Sequence, residues 1–137
     1  MTNTQQTPTG MQLIQAERER QINLLGWTPE HDDQHTGGEL RDAAMYYHSR
    51  GKGEAWPWKS EPGRIDECQS VNHTKAGALM LAEIGRLERK LGRMIAECEE
   101  QGRPVRPEFW QNKIAKYKAL YDSIERELDF ILAEENT

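Results

Sequence analysis

The sequence predicts an all-α protein: two short N-terminal helices, an ordered tryptophan-rich loop and a long C-terminal antiparallel helical hairpin. Three observations carry this. Apolar residues recur at alternating steps of four and three through Met80, Ile84, Leu87, Leu91, Met94 and Cys98, and again from Trp110 through Ile114, Tyr117, Tyr121, Ile124, Leu128 and Ile131, the spacing of one helical seam. Between these runs lies the segment Gln101 to Pro107, which contains Gly102, Pro104 and Pro107. No segment shows the strict apolar–polar alternation of a half-buried strand.

Residues 1–10 are polar and aperiodic and are expected to form a disordered tail. Residues 11–25 place Met11, Ile14, Ile22 and Leu25 around a charged centre, and Gly26 ends that helix. A second helix is expected from Thr36. Thr36-Gly37-Gly38-Glu39 fits a capping box, with Thr36 as cap and Glu39 returning the bond. Its apolar face is Leu40, Ala43, Ala44 and Tyr47, and Gly51 stops it. Residues 51–70 have no period and read as a loop ordered by Trp56-Pro57-Trp58.

In the hairpin, Gly102 suits the residue after a helix end and Pro107 a first helical turn. So short a link makes the two helices antiparallel neighbours. Glu99 is then expected opposite Lys113, with Lys90 and Arg86 opposite Asp122 and Glu125. Gly77, Gly85 and Gly92 add a row of glycines, each costing about 1 kcal/mol against alanine in a helix interior. That row predicts a closely packed partner, supplied by the front half of the chain and by a second copy. The organisation is one domain: residues 11–75 form a candidate ligand pocket, and residues 76–137 form a scaffold expected to oligomerise.

Composition narrows the function. The chain has 137 residues, 36% hydrophobic and 30% charged, with a mean hydropathy of −0.91. So polar a chain must bury its core efficiently or share it. No run of about 18 apolar residues marks a membrane span, and the N-terminus lacks the basic and apolar regions of a signal peptide. A net charge of −5 argues against stable nucleic-acid binding. Cys68 and Cys98 have no metal-ligand or redox spacing, which points to a reducing cytoplasm.

Candidate chemistry concentrates in the front half. All four histidines fall between His31 and His73, and three of four tryptophans between Trp27 and Trp58. His31-Asp32-Asp33-Gln34-His35 with Glu39 has metal-ligand chemistry. Flanking turn residues instead favour loop organisation, so no metal ligand and no catalytic residue is assigned there. Trp27, Trp56, Trp58 and Tyr47 can stack on a base, while Arg50, Lys52 and Lys75 can pair with phosphates. Asp33 and Glu39 can accept ribose hydroxyls, and His31 and His35 complete the candidate site. This reading needs no cofactor.

Two resemblances bear on function. Gly26-Trp27-Thr28-Pro29-Glu30-His31-Asp32-Asp33, Gly38-Glu39-Leu40, Trp56-Pro57-Trp58, Lys75-Ala76-Gly77-Ala78-Leu79 and Ala82-Glu83-Ile84 together resemble a group of small bacteriophage and prophage proteins over roughly residues 17–89. Small acidic phage proteins with a polar-aromatic pocket are similar to anti-defence sponges, which sequester ADP-ribose-type or cyclic-nucleotide immune signals without cleaving them. The resemblance implies that function here, in the cytoplasm of an infected bacterium. Gly26-Trp27 with Asp32-Asp33 and His35 also resembles the ryanodine-receptor repeat module, whose His-Pro step and second glycine are missing. An alternative is an all-α nucleotide pyrophosphohydrolase of the MazG kind, binding Mg²⁺ through paired carboxylates. Glu17, Glu39, Asp42 and Glu83 are the available acids, but only Glu39 and Asp42 have the family's spacing. A third class is a protein–protein inhibitor acting through the hairpin.

Overall fold

The structure, a computed structural model, describes residues 7–137. It is all-helical, with no strand among those residues. The helices are α1 (Gly10–Leu25), α2 (Pro29–Asp32), α3 (Glu39–His48), α4 (Gln69–Glu100) and α5 (Glu108–Glu135).

Helix α1 starts with a closed capping box. Thr9 Oγ1 accepts the Gln12 N–H, and Gln12 Oε1 accepts the Thr9 N–H at 2.8 Å. Gly10 is buried and its N–H donates to Asp129 Oδ1 at 2.7 Å. The expected tail over residues 1–10 is therefore corrected at its end: Thr9 and Gly10 are fixed, and residues 1–6 lie outside the described residues. The buried face of α1 is also narrower than expected. Ile14 and Gln21 are buried, whereas Met11 and Leu25 are exposed. Gly26 closes the helix with a left-handed φ of 72°, a conformation glycine adopts without strain.

The capping box expected at Thr36 does not form. Helix α3 begins at Glu39, preceded by Gly38 at φ 86°, and the Glu39 carboxylate accepts the Gly37 N–H at 2.8 Å instead. A left-handed Gly38 turns the chain so that Thr36 cannot reach the first helical amides. The expected apolar face is present in full: Leu40, Ala43, Ala44 and Tyr47 are all buried.

Helix α4 is the axis of the molecule. It starts at Gln69, well before the heptad seam, and from Ala76 to Leu87 it is buried on nearly every side. A helix covered all round has no polar face. Helices α3 and α5 cover one flank through Leu40, Ala43, Ile114 and Ile124. Helix α1 covers another, placing Ile14 with Ala78 and Leu128. Beyond Leu87 α4 is covered only in part: the end of α2 reaches it through Asp33 with Arg89 and Arg93, and Leu91, Met94 and Ile95 are only half-buried.

Gly102, at φ 65°, ends α4, and the Arg103 N–H returns to Cys98 O. The helices run antiparallel, as Lys118 with Glu88 (3.3 Å) and the Lys90 ammonium over the Trp110 ring (4.4 Å) require. The expected charge register is corrected by these contacts. Arg86 pairs within α4 to Glu83, and Lys90 and Lys113 lie over Trp110. Aromatic packing at Trp110 sets the register, because exposed ion pairs contribute too little to choose it.

The glycine row divides. A Cβ on Gly77 would meet Ile14 Cδ1 at 2.5 Å, so α1 requires the glycine. At Gly92 a Cβ would meet nothing within 4 Å. Gly77→Ala is expected to cost about 1–3 kcal/mol through overpacking, while Gly92→Ala should add about 1 kcal/mol through helix propensity. Urea denaturation of both variants checks this. The gain at Gly92 is expected of the lone chain at dilute protein; Gly92 borders an open groove, and a second copy seated there would instead be crowded by the new methyl, so the variant would weaken self-association.

Candidate functional site

Short-range turn chemistry brings the aromatic residues together. After Gly26, the Thr28 side chain accepts the His31 N–H and Pro29 occupies the first turn of α2. This one-turn helix points His31 and then His35 inward. Arg18 pins it from α1, donating to Trp27 O at 3.1 Å and pairing with the buried Asp32 carboxylate. From the other side comes the loop after α3. Tyr46 Oη donates to Gly63 O at 2.9 Å, folding the loop back so that Trp56 and Trp58 face α3.

The result is a continuous chain of rings. Trp27 lies parallel to His31, with centroids 6.4 Å apart. His31 meets His35 edge-on at 4.9 Å, His35 meets Trp58 at 5.1 Å, and Trp58 meets Trp56 at 5.1 Å. Trp56 then contacts Tyr46 at 5.1 Å and Tyr47 at 5.9 Å. Trp27, His31, His35, Trp56 and Trp58 line an open cavity of about 360 Å³, with Leu40 and Ser60 completing its lining. That volume lies within the range of small-molecule sites, and so does the mixture of rings with a few polar groups.

Several polar atoms of these residues and of neighbouring Asp32 are buried and unpartnered. Trp58 Nε1 and His31 Nδ1 are buried without a hydrogen-bond partner, and so is Asp32 Oδ1, 3.7 Å from His31 Nδ1. Buried polar groups are nearly always satisfied, and unsatisfied ones cost about 1–3 kcal/mol each. Burial, with the neighbouring His31, holds the His35 imidazole below its ordinary pKa, so this ring is uncharged at neutral pH.

The remaining sequence candidates lie elsewhere. Asp33 is held by Arg89 (2.8 Å) and Arg93 (3.4 Å), clamping α2 to α4. Glu39 is engaged with Gly37 N–H. Arg50 bonds to the Gln69 amide, and Lys52 is exposed. Tyr47, expected to stack on a base, is buried in the core outside the cavity lining; Lys75 lies over its ring at 5.4 Å and borders a separate surface cleft with Leu13 and Glu17. The cations expected to take phosphates are therefore not in the lining of the aromatic cavity. A different set stands nearby. Residues 36–38 and Arg41 border a cleft of about 500 Å³ whose far side carries Lys113 and Lys116 of α5. Segment 35–41 is the common wall of the two. Lys113 and Lys116 come from the hairpin, too distant in sequence for local spacing to join them to His35.

Asp33 provides a pH test of its clamp. Burial pushes its carboxyl up, but Arg89 and Arg93 outweigh this and hold it below the ordinary value. A depressed folded pKa contributes stability above the unfolded pKa, lost as pH falls through the folded one. Asp33→Asn should therefore cost about 1 kcal/mol or less at neutral pH and make unfolding less sensitive to acid. Urea midpoints at neutral pH and in acid, taken below the ordinary Asp pKa of about 3.9, check it.

Sequence reading also missed a second cluster. His48 of α3, His73 of α4 and Glu127 of α5 meet at one carboxylate oxygen, with both Nε2 atoms 2.9 Å from Oε2. Among the described residues this is the one group of three His, Cys, Asp or Glu side chains close enough to share an ion. The four acids of the pyrophosphohydrolase alternative do not converge. Glu17 pairs with Arg20, Asp42 with Arg41 and Glu83 with Arg86.

Fold and site together define a small helical protein with a ring-lined cavity and, along segment 35–41, a polar cleft that carries Arg41, Lys113 and Lys116 together with Asp42. Comparison with known protein families, curated proteins and solved structures finds no match to this chain. No described helix is long and apolar enough to cross a membrane.

Proposed function

We propose that this chain is a non-catalytic binding protein that takes the flat heteroaromatic ring of a nucleotide-derived signal into the cavity of Trp27, His31, His35, Trp56 and Trp58. The observation that carries it is the ring chain itself, which lines an open cavity of about 360 Å³. Every nucleobase has a π-face for stacking, worth about 1–3 kcal/mol per base. The phosphates fall to Arg41, Lys113 and Lys116 in the adjoining cleft, in place of Arg50, Lys52 and Lys75. Arg41 is shared with Asp42 and Glu54 at 3.1 and 3.8 Å, so the two lysines supply most of the uncommitted charge.

Sequestration of an immune signal in the cytoplasm of an infected bacterium is the biological role that fits such a protein, given the resemblance of residues 17–89 to phage proteins. Self-association is part of the proposal. Where α4 is covered only in part, Leu91, Ile95, Ile114 and Ala115 border an open groove of about 430 Å³, an apolar surface for a second copy. Binding without cleavage is favoured over hydrolysis because Glu17, Glu39, Asp42 and Glu83 are each occupied by a different partner.

The test is to incubate the protein with ADP-ribose-type and cyclic-nucleotide signals, with and without Mg²⁺, and then denature it by heat. Chromatography should recover the bound signal intact. A Mg²⁺-dependent product would replace this reading with the hydrolase, and no binding to any nucleotide would end both.

A further inference from the structure

We propose that His48, His73 and Glu127 form a binding site for a divalent transition-metal ion of the zinc class. The three side chains come from α3, α4 and α5 and are separated by 54 and 79 residues from Glu127, so only the tertiary fold assembles them. Both imidazole Nε2 atoms stand 2.9 Å from Glu127 Oε2, the two rings are 4.9 Å apart, and the three donor atoms lie within 4.8 Å of one another. Zinc binds imidazole nitrogen and carboxylate oxygen at about 2.0–2.2 Å. Tetrahedral donors at that distance stand about 3.4 Å apart, so each imidazole needs to draw back from the carboxylate oxygen by a few tenths of an ångström, and the two nitrogens, within 4.8 Å of each other, settle to the same spacing. Two imidazoles with one carboxylate select a borderline metal over magnesium, which prefers oxygen alone.

The surroundings suit an ion as well. His73 is 5% exposed and fixed by packing, whereas Glu127 is 46% exposed and opens the site to solvent. An ion can enter there, and water can complete its coordination. Behind His73, Gln69 Nε2 lies 2.9 Å from Nδ1. With that amide donating, His73 carries its proton on Nε2 and gives it to Glu127. Rotating the Gln69 amide presents its oxygen to Nδ1–H and leaves Nε2 free for the ion, the arrangement that commonly orients a metal-bound histidine. The rotation releases the exposed Arg50, which now donates to Gln69 Oε1, into water. Asn72 keeps its bond to Asp66 O at 2.9 Å. The ion would tie three helices together outside the aromatic cavity, none of whose lining residues it uses.

Zn²⁺ itself is the probe. The full chain, stripped with a chelator, is titrated against a chromophoric zinc indicator. One ion per chain should be taken up, Mg²⁺ should not compete, and zinc should raise the melting temperature. His48→Ala and Glu127→Gln, both at partly exposed positions, should each weaken uptake at least about tenfold, the lower limit seen for groups merely supporting a ligand. Circular dichroism is measured alongside, and both variants should keep the helical signal. Failure of the wild type to take up zinc would overturn the site. Equal uptake by wild type and both folded variants would do the same.

Discussion

Arg86→Leu should destabilise the protein by about 3–5 kcal/mol, the usual cost of breaking a buried ion pair from one side. Glu83 and Arg86 sit one turn apart on α4, with side chains 0% and 4% exposed. Their pairing is bidentate, Nε to Oε1 at 2.6 Å and Nη2 to Oε2 at 3.0 Å. Burial raises the cost of each charge, and the fork geometry offsets it only while both partners are present. The Arg86 guanidinium is accordingly held above its ordinary pKa by the Glu83 hydrogen bond, against the opposing effect of burial. Replacing both residues with leucine should recover most of the loss, because no lone charge then remains. A double-mutant cycle in urea measures this coupling. A loss below about 1 kcal/mol for Arg86→Leu would place the pair in water and remove α4 from the centre of the fold.

Gly63→Ala should disrupt the ring-lined cavity while leaving the helices formed. A Cβ there would stand 1.9 Å from Tyr47 Oη, 2.8 Å from Tyr47 Cζ and 3.1 Å from Trp56 Cη2. Tyr47 is buried and part of the main core, so it cannot swing away. The loop must lift, stretching the Tyr46 bond to Gly63 O and moving Trp56 and Trp58 with it. Overpacking of this kind costs about 1–3 kcal/mol. Near-ultraviolet circular dichroism, which reports fixed aromatic rings, should fall, with the helical signal retained. An unchanged aromatic spectrum would mean that the loop does not position the tryptophans.

Much of this architecture is written in local sequence. The apolar face of α3, the heptad seam of the hairpin and the turn at Gly102 follow from periodicity and glycine chemistry. The start of α4 does not. Its segment Thr74-Lys75-Ala76-Gly77-Ala78 packs against neighbours on several sides and so has no single apolar stripe to read. Thr9 and Gln12 do form a capping box, but surrounding polarity masks it, whereas Thr36 and Glu39 have the right spacing and are diverted by left-handed Gly38. At the site, Trp27, His31, His35, Trp56 and Trp58 were legible as a set because the first three lie in one short turn and the last two in one tripeptide. The cations were not, since Lys113 and Lys116 reach the neighbouring cleft only through the hairpin's return. Asp33 shows the opposite case: ligand-type chemistry used for structure, with arginines supplied from α4.

The central claim is that the ring-lined cavity holds a nucleobase. The most direct measurement is a titration of tryptophan fluorescence with a matched nucleoside and nucleotide. Both should quench the emission and saturate at one site per chain. Trp58→Ala should abolish the response to both, while Lys113→Ala/Lys116→Ala should weaken the nucleotide and spare the nucleoside. A quench that survives Trp58→Ala, or a nucleotide response indifferent to the lysines and a nucleoside that never binds, would contradict the account.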